Sequence, residues 1–169
     1  LATYEPIATA LFAKLNAALV PGVFRYTSRR LLIWEDLLQS IQLGSVPFQQ
    51  PAMFLFDGVG FGGGRIKVEQ RGRGRPPVRI MSKTIVIYAQ LPGAGTPAGR
   101  DATTPGGTVF GPLQEAVENV FLQVDSENAL TLGGLVSHCW IEGDCHWVTA
   151  DIDPGGQGMM TIPVQIMLP

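Results

Sequence analysis

From Gly158 to Leu168 the residues alternate strictly, and this leaves little choice of fold. Met160, Ile162, Val164 and Ile166 fall on one side of an extended chain, and Thr161, Pro163, Gln165 and Met167 on the other. Such a strand must lay its apolar side on a core. Pro163 brings no N–H to a ladder, which places the strand at a sheet edge or beside a bulge. Met81 to Leu91 is the clearest strand of the chain, because Thr84-Ile-Val-Ile-Tyr88 is β-branched or aromatic throughout. Pro51 to Asp57 is a short apolar run between turn signals, as expected of a strand buried on both faces. Val23 to Trp34 reads as a further strand on which Arg29 and Arg30 point to opposite faces.

Two helices cover this sheet. Ile7, Leu11, Leu15 and Leu19 recur every four positions between Pro6 and Val20, with Thr3 as N-cap and Pro21-Gly22 as the stop. Gly111 to Gln123 carries a second apolar face of Leu113, Ala116, Val117, Val120 and Phe121. Asp36 to Gln50 reads as a connection with one helical turn at Glu35 to Ile41. The sum is an α+β domain: a mixed or antiparallel sheet of about five strands with two helices packed on it, plus an extended basic loop or hairpin arm. At 169 residues the chain fits a single domain, 1–169, large enough to bury a core without metals or disulfides. No apolar run is long enough to span a bilayer and no signal sequence opens the chain, so it reads as soluble, unsecreted and without a membrane partner.

Charge is sorted along the chain. Seven of the twelve Lys and Arg residues lie between Arg65 and Lys83, and nine of the fourteen acidic residues lie from Asp101 onward. The basic block, Arg65, Lys67, Arg71, Arg73, Arg75 and Arg79, is interrupted by Gly72, Gly74 and Pro76-Pro77, too many breakers for a helix. It reads as an arm over about 62–80, either a long hairpin or an unstructured loop. The arm has three readings. It contacts the acidic last third of a neighbouring copy, it neutralises phosphates of DNA, or it is a solvated loop. The 15% charged content is low for a soluble domain, and this favours subunit contact. A Gly, Pro and Thr linker follows at 92–107.

Two motifs invite chemistry and fail on context. Gly58-Val-Gly60-Phe-Gly-Gly63 fits a dinucleotide fingerprint by its letters, yet an alternating segment follows where a helix is required. No acidic residue occurs from Gln70 to Gly99 to meet a ribose. These glycines are a loop. Leu132 to Trp147 contains His138, Cys139, Cys145 and His146, all good zinc ligands by type. In a strand neighbours face opposite ways, and Cys139 and Cys145 stand about 20 Å apart at ~3.3 Å per residue. A Cys-His hydrolase needs thiolate and base within hydrogen-bonding reach, which adjacent Cys145-His146 on an extended chain lack. The segment reads as a strand paired with Gly158 to Leu168 across Asp153-Pro154-Gly155-Gly156. No catalytic, cofactor or metal residue is assigned, and Cys145 and His146 are left without a role.

The order of segments resembles a known family. The opening helix, Ser28-Arg-Arg followed by Trp34-Glu-Asp, Pro51-Ala-Met-Phe-Leu-Phe, the Gly-rich link into a second helix, Leu132-Gly-Gly-Leu-Val-Ser-His-Cys-Trp-Ile-Glu-Gly and Gly158-Met-Met-Thr-Ile-Pro-Val-Gln-Ile resemble the tail terminator, or tail completion, proteins of long-tailed bacteriophages. The likeness spans nearly the whole chain and rests on structural strands and turns. It implies a homohexameric ring that caps the tail tube, ends its polymerisation and offers a head-tail joining surface, with DNA in the lumen. Partners would be the tail tube protein and a head-tail connector or neck protein. The site would be the virion tail at its head-proximal end, after assembly in the host cytoplasm. A neck or head-completion connector of the same virion is the alternative, and a zinc-binding or thiol enzyme stands further off.

Overall fold

A computed structural model describes residues 4–30, 33–45, 47–56, 66–69, 72–91, 109–152 and 155–169. Thr3, the glycine run Gly58 to Gly63, the linker at 92–107, the pair Asp153-Pro154 and the arm residues Arg65 and Arg71 lie outside the described residues. The elements in chain order are α1 (Tyr4–Leu19), β1 (Tyr26–Ser28), α2 (Trp34–Gln42), β2 (Ala52–Phe56), β3 (Ile66–Glu69), β4 (Val78–Leu91), α3 (Gly111–Leu122), β5 (His138–Ile141), β6 (His146–Ile152) and β7 (Gly155–Met167). Among the described residues no helix is long and apolar enough to cross a membrane.

The α+β architecture is as expected. Its spine is the antiparallel pair β4 and β7, joined from Ile80↔Met167 to Leu91↔Gly156. Every other strand attaches to one of these two or, for β1, to β2. On one side of β4, β2 pairs with Thr84 to Tyr88 and β3 with Val78 to Met81. On the far side of β7, β5 and β6 follow one another along the same edge. Only β1 and β2 run parallel, so the sheet is mixed.

The two faces hold separate cores. Ile85, Ile87, Met160, Ile162, Val164 and Ile166 are buried on one face with Ile7, Leu11 and Leu15 of α1 and Val117, Val120 and Phe121 of α3. The alternation read in Gly158 to Leu168 is therefore the alternation of the structure. Each fully buried Leu or Ile there contributes ~1.5–3 kcal/mol relative to exposure. On the other face Leu37 of α2 packs with Phe54, Val86 and Tyr88. Tyr26, Phe48, Phe54 and Tyr88 form a chain of ring contacts with centroids 5.2 to 6.0 Å apart. Such stacked and edge-on pairs add to area burial.

Three expectations change. Among the described residues the sheet has seven strands rather than about five, because β3 is a strand and the segment Leu132 to Trp147 is divided. A third helix, α2, stands where only a helical turn was expected. It buries Leu37, with Trp34 and Ile41 packed beside it, and this spacing becomes a helix face only once Phe54 and Tyr88 offer a surface. The strand expected over Val23 to Trp34 shortens to Tyr26–Ser28. Arg29 turns back to α1, where its Nη1 and Nη2 donate to Glu5 Oε1 and Oε2 at 2.5 and 3.0 Å, and this fork holds the Glu5 carboxyl below its usual range.

For Pro163 the structure decides between the two expected placements. β7 is no edge strand, since β4 and the β5–β6 pair flank it. The proline sits beside a bulge instead. Ile141 pairs with Val164 and His146 with Thr161, so five steps on one strand answer three on the other, and two residues are extra. The Pro163 carbonyl accepts the Glu142 N–H at 3.3 Å, which puts the proline nitrogen on the bulged side, where no acceptor is needed. Gly143, at φ +111°, lies over the ring; a Cβ there would come within 3.1 Å of Pro163 Cγ.

One glycine is fixed by contact alone. A Cβ on Gly158 would lie 2.6 Å from the Phe110 ring and 2.7 Å from Leu91 Cδ1. Phe110 is fully buried at the head of α3 and rests on the backbone of β7. Gly158→Ala is expected to lower stability by about 1–3 kcal/mol through overpacking, read from urea unfolding midpoints. Pairing it with Phe110→Leu should recover part of that loss.

Candidate functional site

The basic arm is a hairpin. Ile66, Lys67, Val68 and Glu69 of β3 pair with Met81, Ile80, Arg79 and Val78 of β4. Gly72 and Gly74, at φ +59° and +82°, supply the left-handed positions of its turn. Of the expected contact residues, Arg73 and Arg75 are exposed at this turn, Lys67 lies in β3, and Arg79 is half-buried at the base. The Arg79 carbonyl accepts the Leu168 N–H at 2.9 Å, so the arm is tied to the end of β7. Lys83, of the same basic block, is instead buried in β4.

A groove of about 320 Å³ opens at this junction, with Arg75, Pro77 and Val78 on the arm side and Ser137, Met167 and Leu168 opposite. Its walls are apolar and its rim carries a guanidinium. The acidic counterpart is at the far end of β5. The bulge between β5 and β6 exposes Glu142 and Asp144, and Trp140 Nε1–H donates to Glu142 Oε2 at 2.6 Å, fixing that carboxylate. Arg25 and Arg30 are exposed beside β1, on the same side of the sheet as the arm. The fold thus sets the exposed arginines of the hairpin turn apart from the exposed carboxylates of the bulge. The block of arginines was legible in the sequence. The bulge was legible in part, since Pro163 marked a sheet edge or a bulge, but its place at Glu142-Gly-Asp144 came with the fold.

The His-Cys clusters do not converge. His138 lies on one face of β5, stacked on Trp140 at 5.2 Å, and its Nδ1 accepts the Leu130 N–H at 3.1 Å, which leaves the ring proton on Nε2. Cys139 points to the other face, fully buried in the helix-side core, and burial pushes its thiol up to about 12. Cys145, in the bulge, is half-buried against that core. Its thiol is also raised, first by burial and then by the Glu118 and Asp144 carboxylates. Among the described residues no three His, Cys, Asp or Glu side chains gather as a metal site would require. Both thiols are held away from the thiolate form, the reverse of an activated nucleophile. In native protein at neutral pH, Cys139 should remain unmodified by a thiol-disulfide reagent until the chain is unfolded, as mass spectrometry of the modified peptides would show.

The approach to β5 is held by one carboxylate. Asp125 Oδ1 accepts the Thr131 N–H at 2.5 Å and its hydroxyl at 2.8 Å, while Oδ2 accepts the Gly133 N–H at 3.0 Å. These bonds clamp the turn in which Leu132, Gly133 and Gly134 all have positive φ. The bonds from Gly133 and Thr131 hold Asp125 down to about 2 against its ordinary 3.8. A lowered folded value means stability that is complete above pH 3.8 and is lost as pH falls through about 2. The stability difference between wild type and Asp125→Asn should therefore be constant near neutrality and shrink across that window, as measured by denaturant unfolding at each pH.

No protein-family description and no curated protein sequence matches the chain.

Proposed function

We propose that this chain is a structural virion protein, a tail terminator (tail completion protein) of a long-tailed bacteriophage. In this reading it forms a homohexameric ring on the last ring of the tail tube and ends tube growth. It also offers the surface to which the head connector or neck joins, with DNA passing through the lumen. The reading is supported by the order of segments from the opening helix to Gly158-Met-Met-Thr-Ile-Pro. One structural observation carries it: exposed Arg73 and Arg75 stand at the turn of the β3–β4 hairpin, and exposed Glu142 and Asp144 on the separate bulge between β5 and β6. Opposite charges on separate surfaces favour head-to-tail contacts between copies, and such heterologous contacts close into a ring when the rotation per copy divides a full turn.

The mechanism needs no covalent step. One face of the ring complements the tube and the other does not propagate it, so growth stops because no further tube subunit finds its seat. The arm serves subunit contact first, and any touch on DNA phosphates would weaken steeply with salt.

Negative-stain microscopy with mass measurement, on the protein alone and mixed with tail tubes, tests the proposal. Six-fold rings seated at tube ends are expected, with tube length no longer increasing after their addition. Rings that bind a portal or neck complex and ignore tubes would assign the chain to the neck instead. A monomer indifferent to both would overturn the reading.

A further inference from the structure

We infer that the groove at the base of the arm receives the Glu142-Gly143-Asp144 bulge of a second copy of this chain, which makes bulge and groove the two halves of the subunit contact. The inference rests on the ring-forming reading above and names its interface. Three observations lead to it.

The groove is the right kind of receptor. Its volume, about 320 Å³, lies at the small end of the ~300–1,000 Å³ range of binding pockets, which suits a turn or a pair of side chains and not a helix. Pro77, Val78, Met167 and Leu168 give it apolar walls, and Arg75 sets a positive rim, with Arg73 exposed on the same turn. A turn carrying carboxylates on a backbone without a bulky centre matches that lining. Glu142-Gly143-Asp144 is such a turn, exposed on both flanks of a glycine.

The bulge is also a stiff projection. Gly143 sits on the Pro163 ring, the Glu142 N–H is bonded to the Pro163 carbonyl, and Trp140 holds the Glu142 carboxylate. Little conformational entropy remains to be lost when it docks.

Finally, the chain cannot satisfy itself. Ser137, on the groove wall, and Glu142, on the bulge, are separated by the length of β5, about 17 Å at ~3.4 Å per residue. The bulge thus lies at the far end of β5 from the groove. The partner is therefore another copy, and because bulge and groove are different surfaces the contact is heterologous.

The experiment uses two charge-reversed chains of the full protein, Arg73→Glu with Arg75→Glu and Glu142→Lys with Asp144→Lys. Circular dichroism and thermal unfolding confirm that each is folded. Wild type should form closed oligomers by native mass spectrometry. Each variant alone should self-associate at least about tenfold more weakly. Mixing them should restore assembly, because each altered groove then meets an altered bulge and each native groove a native bulge, and the product should contain the two chains in equal numbers. If either variant assembles like wild type, or if the folded variants stay apart when mixed, the bulge does not fill the groove. The same holds if wild type is a monomer. Tube capping by wild type is scored separately: rings that assemble through this contact but ignore tubes refute the terminator reading alone, and tube-capping rings indifferent to the reversals refute the contact alone.

Discussion

The antiparallel ladder between β4 and β7 is the constraint on which the remainder depends. It runs unbroken from Ile80↔Met167 to Leu91↔Gly156, and each strand is long enough to offer its free edge to two shorter ones. The helix-side core is laid on its alternating face, and the aromatic cluster under α2 on the reverse. A slip of one residue in this register would exchange the faces of Ile162 and Thr161 and expose the core, so the pairing is strongly specified. Phe110 resting on Gly158 adds a steric lock, because only a glycine at that step lets the head of α3 approach the ladder.

The same ladder generates the candidate contact surface. Pro163 cannot donate toward β5 and β6, and the partner strand responds with two extra residues. Those residues carry Glu142 and Asp144 out from the sheet edge. A residue that looks like a local defect in β7 thus sets the position of the acidic projection. Across the ladder β3 and β4 extend past the other strands into a hairpin, and the bond from the Leu168 N–H to the Arg79 carbonyl anchors it. Groove, arm and bulge are three consequences of how the edges of one pair of strands are finished.

The thiols are raised out of the reactive range by burial, His138 is committed to a backbone N–H and an indole face, and Asp125 is spent on a turn. The exposed charges include arginines at the hairpin turn and carboxylates on the bulge, and separated opposite charge directs association and partner choice. The proposal of a ring-forming virion protein draws on that property together with the resemblance in segment order.

The sequence by itself determined the class of fold, the two helices that share a face, and the inward set Met160, Ile162, Val164 and Ile166, because periods of about 3.6 and 2 residues are written directly in the spacing of apolar side chains. It also marked Pro163 as a point where pairing is interrupted, and Arg65 to Arg79 as an arm. Three things were decided only by tertiary structure. α2 buries Leu37 alone, and its short apolar stripe has meaning only against Phe54 and Tyr88. β1 ends at Ser28, where Arg29 turns back to Glu5, twenty-four residues earlier in the chain. Leu132 to Trp147 reads as one strand by its letters, yet positive φ at Leu132 and the bulge at Gly143 divide it. In each case the deciding interaction joins residues far apart in sequence, and local spacing carries no record of a partner that only folding brings near.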